Sequence, residues 1–345
     1  MMPQSSPGAQ AASAGPVGLT GARDVHYNAL RHDPALSGLA MKFLPGKNVA
    51  LAAALVALSS IVLSGLPGPK TRVVATIFPL FEFVRAVGGD RIEADLLVPA
   101  GADIHSWQPR FGDIKKMAGA GGLFLYLGAD LEPWADDLIR NAAGPGWTVL
   151  EASRGLDLIE DADEAPQGAH GADPHVWLDF AQDQIIIDRI ASALTDFSPE
   201  EAPYFRASAE AYKAKLEALD RRYREALGSC RGRRLLIGGH AAFAYLVRRY
   251  GFVQTAVTGP TPEAVPAPRE MVRLVSLAKA EKITTVFFDP SSGDRLARIL
   301  AAEIGARIRP LHPGHNLAVK AAVPTAFLDL MDQNLENLRH GLGCR

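Results

Sequence analysis

The chain has 345 residues, more than one ordinary domain needs and enough for two lobes. Hydrophobic residues make up 48% and charged residues 21%, so a sizeable core can be buried and the class is globular. A formal net charge of −2 offers no basic face, so no nucleic-acid partner is expected, and the two cysteines lie too far apart for a zinc ribbon or a redox CxxC pair.

Residues 1–40 are small, polar and poor in apolar side chains, which reads as disorder. From Met41 the pattern changes. Lys42 and Lys47 form a positive start, Val49 to Leu63 is an apolar run, and the small residues Ser64 and Gly65 follow. Residues 41–66 therefore read as a secretory signal peptide, too short for a comfortable membrane span. With Met41 as the true start, residues 1–40 would be an over-extended beginning; an uncleaved anchor is the alternative. No cysteine follows the apolar run, so no lipid anchor is expected there. Export would place Cys230 and Cys344 where they could pair, with two lone thiols as the alternative.

After Pro69, strand and helix signals alternate. "RVVATIF" reads as a strand, "PLFEFVRAVGG" as a short helix, "IEADLLVPA" as a strand, "FGDIKKMAGAG" as helical and "LFLYLG" as a buried strand. "AQDQIIIDRIASALTDF" is an amphipathic helix. Ser198 then reads as the cap of a longer one, with Glu201 completing a capping box. That helix runs from about Pro199 to Leu227, with Tyr204, Phe205, Tyr212, Leu216, Leu219 and Tyr223 on one face. At about 1.5 Å per residue it spans on the order of 40 Å. The alternation resumes with strands "RRLLIGG", "FVQTAV", "ITTVFFD" and "ARIRPL", and with helices "HAAFAYLVRRYG", "PREMVRLVSLAKAEK", "SGDRLARILAAEIG" and "AAVPTAFLDLMDQNLENLRHGL". The expected fold is α/β: two lobes, each with a mainly parallel sheet flanked by helices, joined by one long rigid helix. The expected boundaries are an N-terminal lobe at 67–197, a connecting helix at 198–229 and a C-terminal lobe at 230–345.

The chain has nine histidines. His26 and His32 fall in the leading segment, and His340 ends the last helix, where a cation suits the dipole. His105 lies in the Gly-Pro-rich loop "PAGADIHSWQP". His175 follows Asp-Pro in "GADPHVWLD". His240 follows "LLIGG" and is read as opening a helix. His312 and His315 lie in "LHPGHNL". Most of these positions lie beyond strand C-termini, the edge where open α/β sheets bind ligands. A single loop histidine is usually an ordinary polar residue, but metal ligation explains all of them at once. Neutral imidazole suits zinc, copper, nickel and iron, whereas manganese prefers added carboxylates. Three or four imidazoles without thiolate are compatible with tetrahedral zinc, with Asp103, Asp173 and Asp289 as candidates to orient the rings.

The motifs "VATIFPLFEFVRAVGGDRIEADLLVPAGADIHSWQP", "DPHVWLD", "GGHAAFAYLVRRYGF", "TPEAVPAPREMVRLV" and "FFDPSSGDRLARILAAEIGARIRPL" carry a resemblance. Their order and spacing resemble the cluster A-I solute-binding proteins of ABC importers for zinc and manganese, the ZnuA/TroA-like family. The resemblance runs from about Val73 to Leu342. It implies two α/β lobes joined by a long helix, metal between them, and ligand roles for His105, His175 and His240. It also implies a periplasmic or otherwise extracytoplasmic protein, expected as a monomer, that hands its ion to an ABC permease and ATPase. Two features depart from the family pattern. Where an Asp commonly supplies the fourth ligand this chain has "LHPGHNL", so His312 or His315 is expected to replace it. The segment before "DPH" is short and acidic, with His170 alone in place of a His-rich loop.

The leading expectation is thus a non-enzymatic zinc-binding transport protein, with a manganese or iron-binding member of the same family as the alternative. A metal-dependent hydrolase would need an open water position and a general base. The chain has no HExxH and no G-x-S-x-G, and it has no clear acid/base pair. Adhesion on the same scaffold would need an exposed patch that a sequence does not reveal.

Overall fold

The computed structural model describes residues 70–117, 121–142, 146–160, 171–259, 268–315 and 326–345. The expected disordered start, the signal peptide and the acidic segment with His170 lie outside the described residues. No described helix is long and apolar enough to cross a membrane.

Two four-stranded parallel sheets organise the fold. β1 (Thr71–Ala75), β2 (Ile92–Leu96), β3 (Gly122–Tyr126) and β4 (Trp147–Glu151) lie in the order β2-β1-β3-β4. β5 (Arg234–His240), β6 (Val253–Thr258), β7 (Thr285–Phe288) and β8 (Arg307–Pro310) lie in the order β6-β5-β7-β8. The helices are α1 (Phe78–Gly88), α2 (Phe111–Ile114), α3 (Ala135–Ala142), α4 (Phe180–Phe197), α5 (Ala202–Gly228), α6 (Ala244–Tyr250), α7 (Pro268–Ala280), α8 (Arg295–Ile304) and α9 (Phe327–Leu342). Both sheets share one topology, and in each the order reverses beside the first strand, which opens a crevice at the C-terminal edge.

Successive residues on a strand face opposite sides of the sheet, and the core divides accordingly. Val73 and Ala75 of β1 and Leu235 and Ile237 of β5 all enter one large cluster. That cluster also takes in Phe205, Leu216, Leu219 and Tyr223 of α5, the long connector. The alternating residues Val74 and Leu236 face outward, into separate satellite cores under Trp134 and Leu138 on one side and Leu274 and Leu300 on the other. One face of each sheet thus belongs to a core that both lobes share. At the mouth of the second crevice, Gly238 lets β5 approach α8, because a Cβ there would overlap Ala297.

Several local expectations give way to tertiary context. Ser198 and Glu201 form no capping box. The Ser198 hydroxyl meets that of Thr71 at 3.2 Å, Glu201 accepts from Arg91, and a single 3₁₀ turn at Pro199–Glu201 leads into α5. His240 does not open a helix; it ends β5, opposite Thr258 after a register shift. Phe243 donates its N–H to the Gln254 side chain, so helical turns begin only at Ala244. Of the expected helix at 111–121, residues 111–117 form one α-turn and one 3₁₀ turn, and 118–120 lie outside the described residues. β4 and α3 had no clear sequence signal, since β4 is a half-exposed edge strand without an apolar run.

Two ties fasten the connector to its surroundings. Cys230 and Cys344 form a disulfide, joining the residue beyond α5 to the segment after α9. Arg249 of α6 reaches Asp179 at the start of α4 and Asp220 of α5, each at 2.7 Å and largely out of solvent. Replacing Arg249 with Met strips the buried Asp179 carboxylate of its cation, while Asp220 keeps Arg224 and the Tyr250 hydroxyl. The expected cost is about 3 kcal/mol of stability, read as a lower urea midpoint; an unchanged midpoint would show the tie to be idle.

Candidate metal centre

Each lobe supplies a short stretch whose backbone is fixed before the side chain is aimed. After β2, Asp103 accepts the N–H of His105 at 2.9 Å and its carbonyl takes that of Trp107 at 2.9 Å. Ile104 is buried, so its neighbour His105 is turned toward the cleft. In "DPH", Asp173 accepts both the N–H and the Nδ1–H of His175, at 2.8 and 2.9 Å, while Val176, Trp177 and Leu178 are fully buried. The bond to Asp173 holds the His175 ring as the Nδ1–H tautomer and turns its Nε2 lone pair outward. His240 is placed by the end of β5, where Ala241 donates to the Gly259 carbonyl at 2.9 Å. His315 lies in the loop after β8. There Leu311 donates to Phe288, Asn334 of α9 brackets the His312 backbone with two 2.7 Å bonds, and Gly314 turns at φ +81°.

These four rings meet. All six centroid separations among His105, His175, His240 and His315 lie between 5.2 and 5.9 Å. Four imidazoles bound to one ion at about 2.0–2.1 Å would place ring centroids about 5.2 Å apart, so the set is slightly wider than a loaded tetrahedron. Ligand atoms of His105, His175 and His240 lie within 4.8 Å of one another. The Nε2 atoms of His105, His175 and His240 and the Nδ1 of His315 are buried without a hydrogen-bond partner. A buried acceptor left this way costs about 1–3 kcal/mol, so the converging atoms of His105, His175 and His240, with the His315 ring beside them, can serve a shared electrophile.

His312 does not join them. It is half-buried beside Asp289, and among the described residues its ring contacts none of the four. The three candidate orienting carboxylates also divide. Only Asp173 holds a ring; Asp103 serves the His105 backbone, and Asp289 accepts from Ser291 and Ser292. Two contributors were not singled out from the sequence. The Tyr245 hydroxyl of α6 donates to the Asp173 carbonyl at 2.8 Å and accepts the N–H of Ile159, so the second lobe braces the segment carrying His175. Asn334, fully buried, holds the loop of His315. Both act across long sequence separations that no local pattern encodes.

Burial keeps three of the four rings neutral. Desolvation first, and then the neighbouring imidazoles, push His105 down to about 2, and burial with His175 nearby pushes His240 down to about 3. His315 is lowered well below the ordinary range by the same causes. In the metal-free protein the unfolded chain therefore binds protons, with pKa about 6.5, that the folded chain refuses. Stability must then fall as pH drops below about 6.5 toward 3. At pH 5, His105 and His240 should each subtract about 2 kcal/mol relative to pH 7, measurable as a lower urea midpoint; a midpoint that holds or rises would contradict this.

Two parallel-sheet α/β lobes spanned by one long helix bring their histidine loops together, an architecture shared with solute-binding proteins of zinc ABC importers. The family model "Zinc-uptake complex component A periplasmic" (ZnuA) matches residues 73–341, and the chain belongs to this family. Its members are transport components rather than enzymes. The chain is 30% identical over 285 residues to the high-affinity zinc uptake system protein ZnuA of Bacillus subtilis (strain 168), covering 80% of this chain and 88% of that one. It is 29% identical over 288 residues to the zinc-binding protein AdcA of Streptococcus pyogenes serotype M3 (strain ATCC BAA-595 / MGAS315), covering 78% of this chain and 56% of that longer protein. The Zn(II)-bound ZnuA-like domain of Streptococcus pneumoniae AdcA superposes with a TM-score of 0.67 at 28% identity, over 79% of this chain and 99% of that one.

Proposed function

We propose that this protein captures Zn²⁺ outside the cytoplasmic membrane, with His105, His175, His240 and His315 as its four ligands, and delivers it to an ABC permease and its ATPase. The observation that carries the reading is the set of four buried imidazole nitrogens, from both lobes, that no group among the described residues satisfies. The zinc-binding relatives support it, and the family's extracytoplasmic placement agrees with reading residues 41–66 as an export signal. Among the described residues no carboxylate oxygen shares the set of ligand atoms around His105, His175 and His240, which favours zinc over manganese. A closed four-imidazole site leaves no position for a reactive water, which suits carriage rather than hydrolysis. His312, offered earlier as an alternative fourth ligand, is set aside because it stands apart from the cluster. The shared core and the connector leave capture to small movements of loops and lobes.

Competitive titration of the chain from about residue 67 against a chelator tests the metal. Nanomolar zinc binding with manganese at least a hundredfold weaker is expected; equal affinities would reject the preference. His175→Ala should weaken zinc binding by more than about a hundredfold, beyond the ten- to hundredfold typical of losing an outer partner, while the circular dichroism spectrum stays unchanged. Unaltered affinity would remove His175 from the site. Zinc at about a thousand times its dissociation constant should add roughly 4 kcal/mol and raise the melting midpoint by about 10 °C, whereas manganese at the same concentration should move it little.

A further inference from the structure

Trp177 occupies a singular position between the two lobes. It is fully buried, two residues beyond His175, inside the 3₁₀ turn Val176–Leu178 of the first lobe. Its ring lies 5.3 Å from that of His175 and 6.0 Å from that of His315. Its indole Nε1–H crosses to the second lobe and donates to the Pro313 carbonyl at 2.7 Å. Asn334 holds the loop only as far as His312. Among the described residues, Trp177 makes the one side-chain hydrogen bond to positions 313–315. Gly314 then turns at positive φ, a conformation glycine adopts readily, with Met331 and Phe327 of α9 close against it.

We propose that Trp177 is a positioning residue for the fourth imidazole: its indole, rising from the lobe of His175, pins the loop of the opposite lobe that presents His315. This rests on the reading of the cluster as a zinc site. Three ligand rings are oriented from strands and turns close to them, whereas His315 hangs on a loop with Pro313 and Gly314 just before it. The bond to Pro313 ties that loop to the same rigid turn that anchors His175, so the two rings keep their separation when the lobes shift. Phe in place of Trp would fill most of the same volume but cannot donate, and the Pro313 carbonyl would lose its buried partner.

The test is a double-mutant cycle on the mature chain, read by competitive zinc titration and by the visible absorption of the cobalt(II) form. Trp177→Phe should weaken zinc about ten- to a hundredfold. It should also move the cobalt bands from a four-imidazole pattern toward that of three imidazoles with water. In a His315→Ala background it should cause no further loss, because the residue it positions is gone. A wild-type cobalt spectrum in Trp177→Phe, or losses that multiply in the double variant, would overturn the proposal and leave Trp177 as packing alone. Should Trp177→Phe not fold, hydrogen exchange of the Trp177 indole N–H decides the matter without it. Zinc should slow that exchange at least tenfold in the wild type and not in His315→Ala; equal effects in both, or none in either, overturn the proposal. A wild-type chain that binds no zinc would instead remove the reading of the cluster itself, an outcome seen before any variant is made.

Discussion

Four imidazole rings gather in a buried space, each with a nitrogen that meets no partner among the described residues, and the rest of the molecule has to hold them there. Left unsatisfied, each costs about 1–3 kcal/mol, and the sum is comparable to the whole net stability of an ordinary domain. Protonation does not relieve the strain, because burial and mutual repulsion keep His105, His240 and His315 neutral far below their usual range. The cluster is therefore suited to a divalent cation that takes neutral imidazole ligands. An ion entering it has few protons to displace near neutral pH.

Such a site needs a stiff frame, and the frame comes from sharing a core across the lobes. β1 and β5 each turn alternate residues into one cluster built around the connecting helix α5, so opening the cleft widely would expose apolar surface. Polar ties cross the same boundary. Tyr245 reaches from the second lobe to Asp173, Trp177 reaches from the first lobe to Pro313, and Arg249 binds α4 to α5. All three converge on the segment from Asp173 to Asp179, which also carries His175. The imidazole with the firmest second partner, His175 on Asp173, is thus the fixed point about which the other loops are arranged.

The class of fold was legible in the alternation of strand and helix signals. The surface positions of the ligand loops followed from where those strands end. His105, His175 and His240 stood out because each follows a turn signal at a strand edge or an Asp-Pro break. What failed was local. His240 was read as a helix opener because Gly-Gly before an apolar run looks like a start, yet pairing with Thr258 keeps it in the strand. Ser198 and Glu201 had the spacing of a capping box, but Thr71 and Arg91, distant in sequence, took their side chains. Asp103 and Asp289 looked like ring partners and instead serve nearby backbone and serine groups.

By itself the sequence determined the element pattern, the two-lobed α/β class and the set of histidines from which a metal site could be drawn, because periodicity and turn chemistry act over a few residues. It left open whether His312 or His315 faces the cleft and whether Cys230 and Cys344 meet. The tertiary structure decided both. His315 turns inward because Asn334 fixes His312 from α9 and Trp177 holds Pro313 from the other lobe; the cysteines join because α9 folds back onto the end of α5. Each outcome depends on groups a hundred or so residues away in the chain or on the docking of whole helices, and no local pattern encodes contacts of that range.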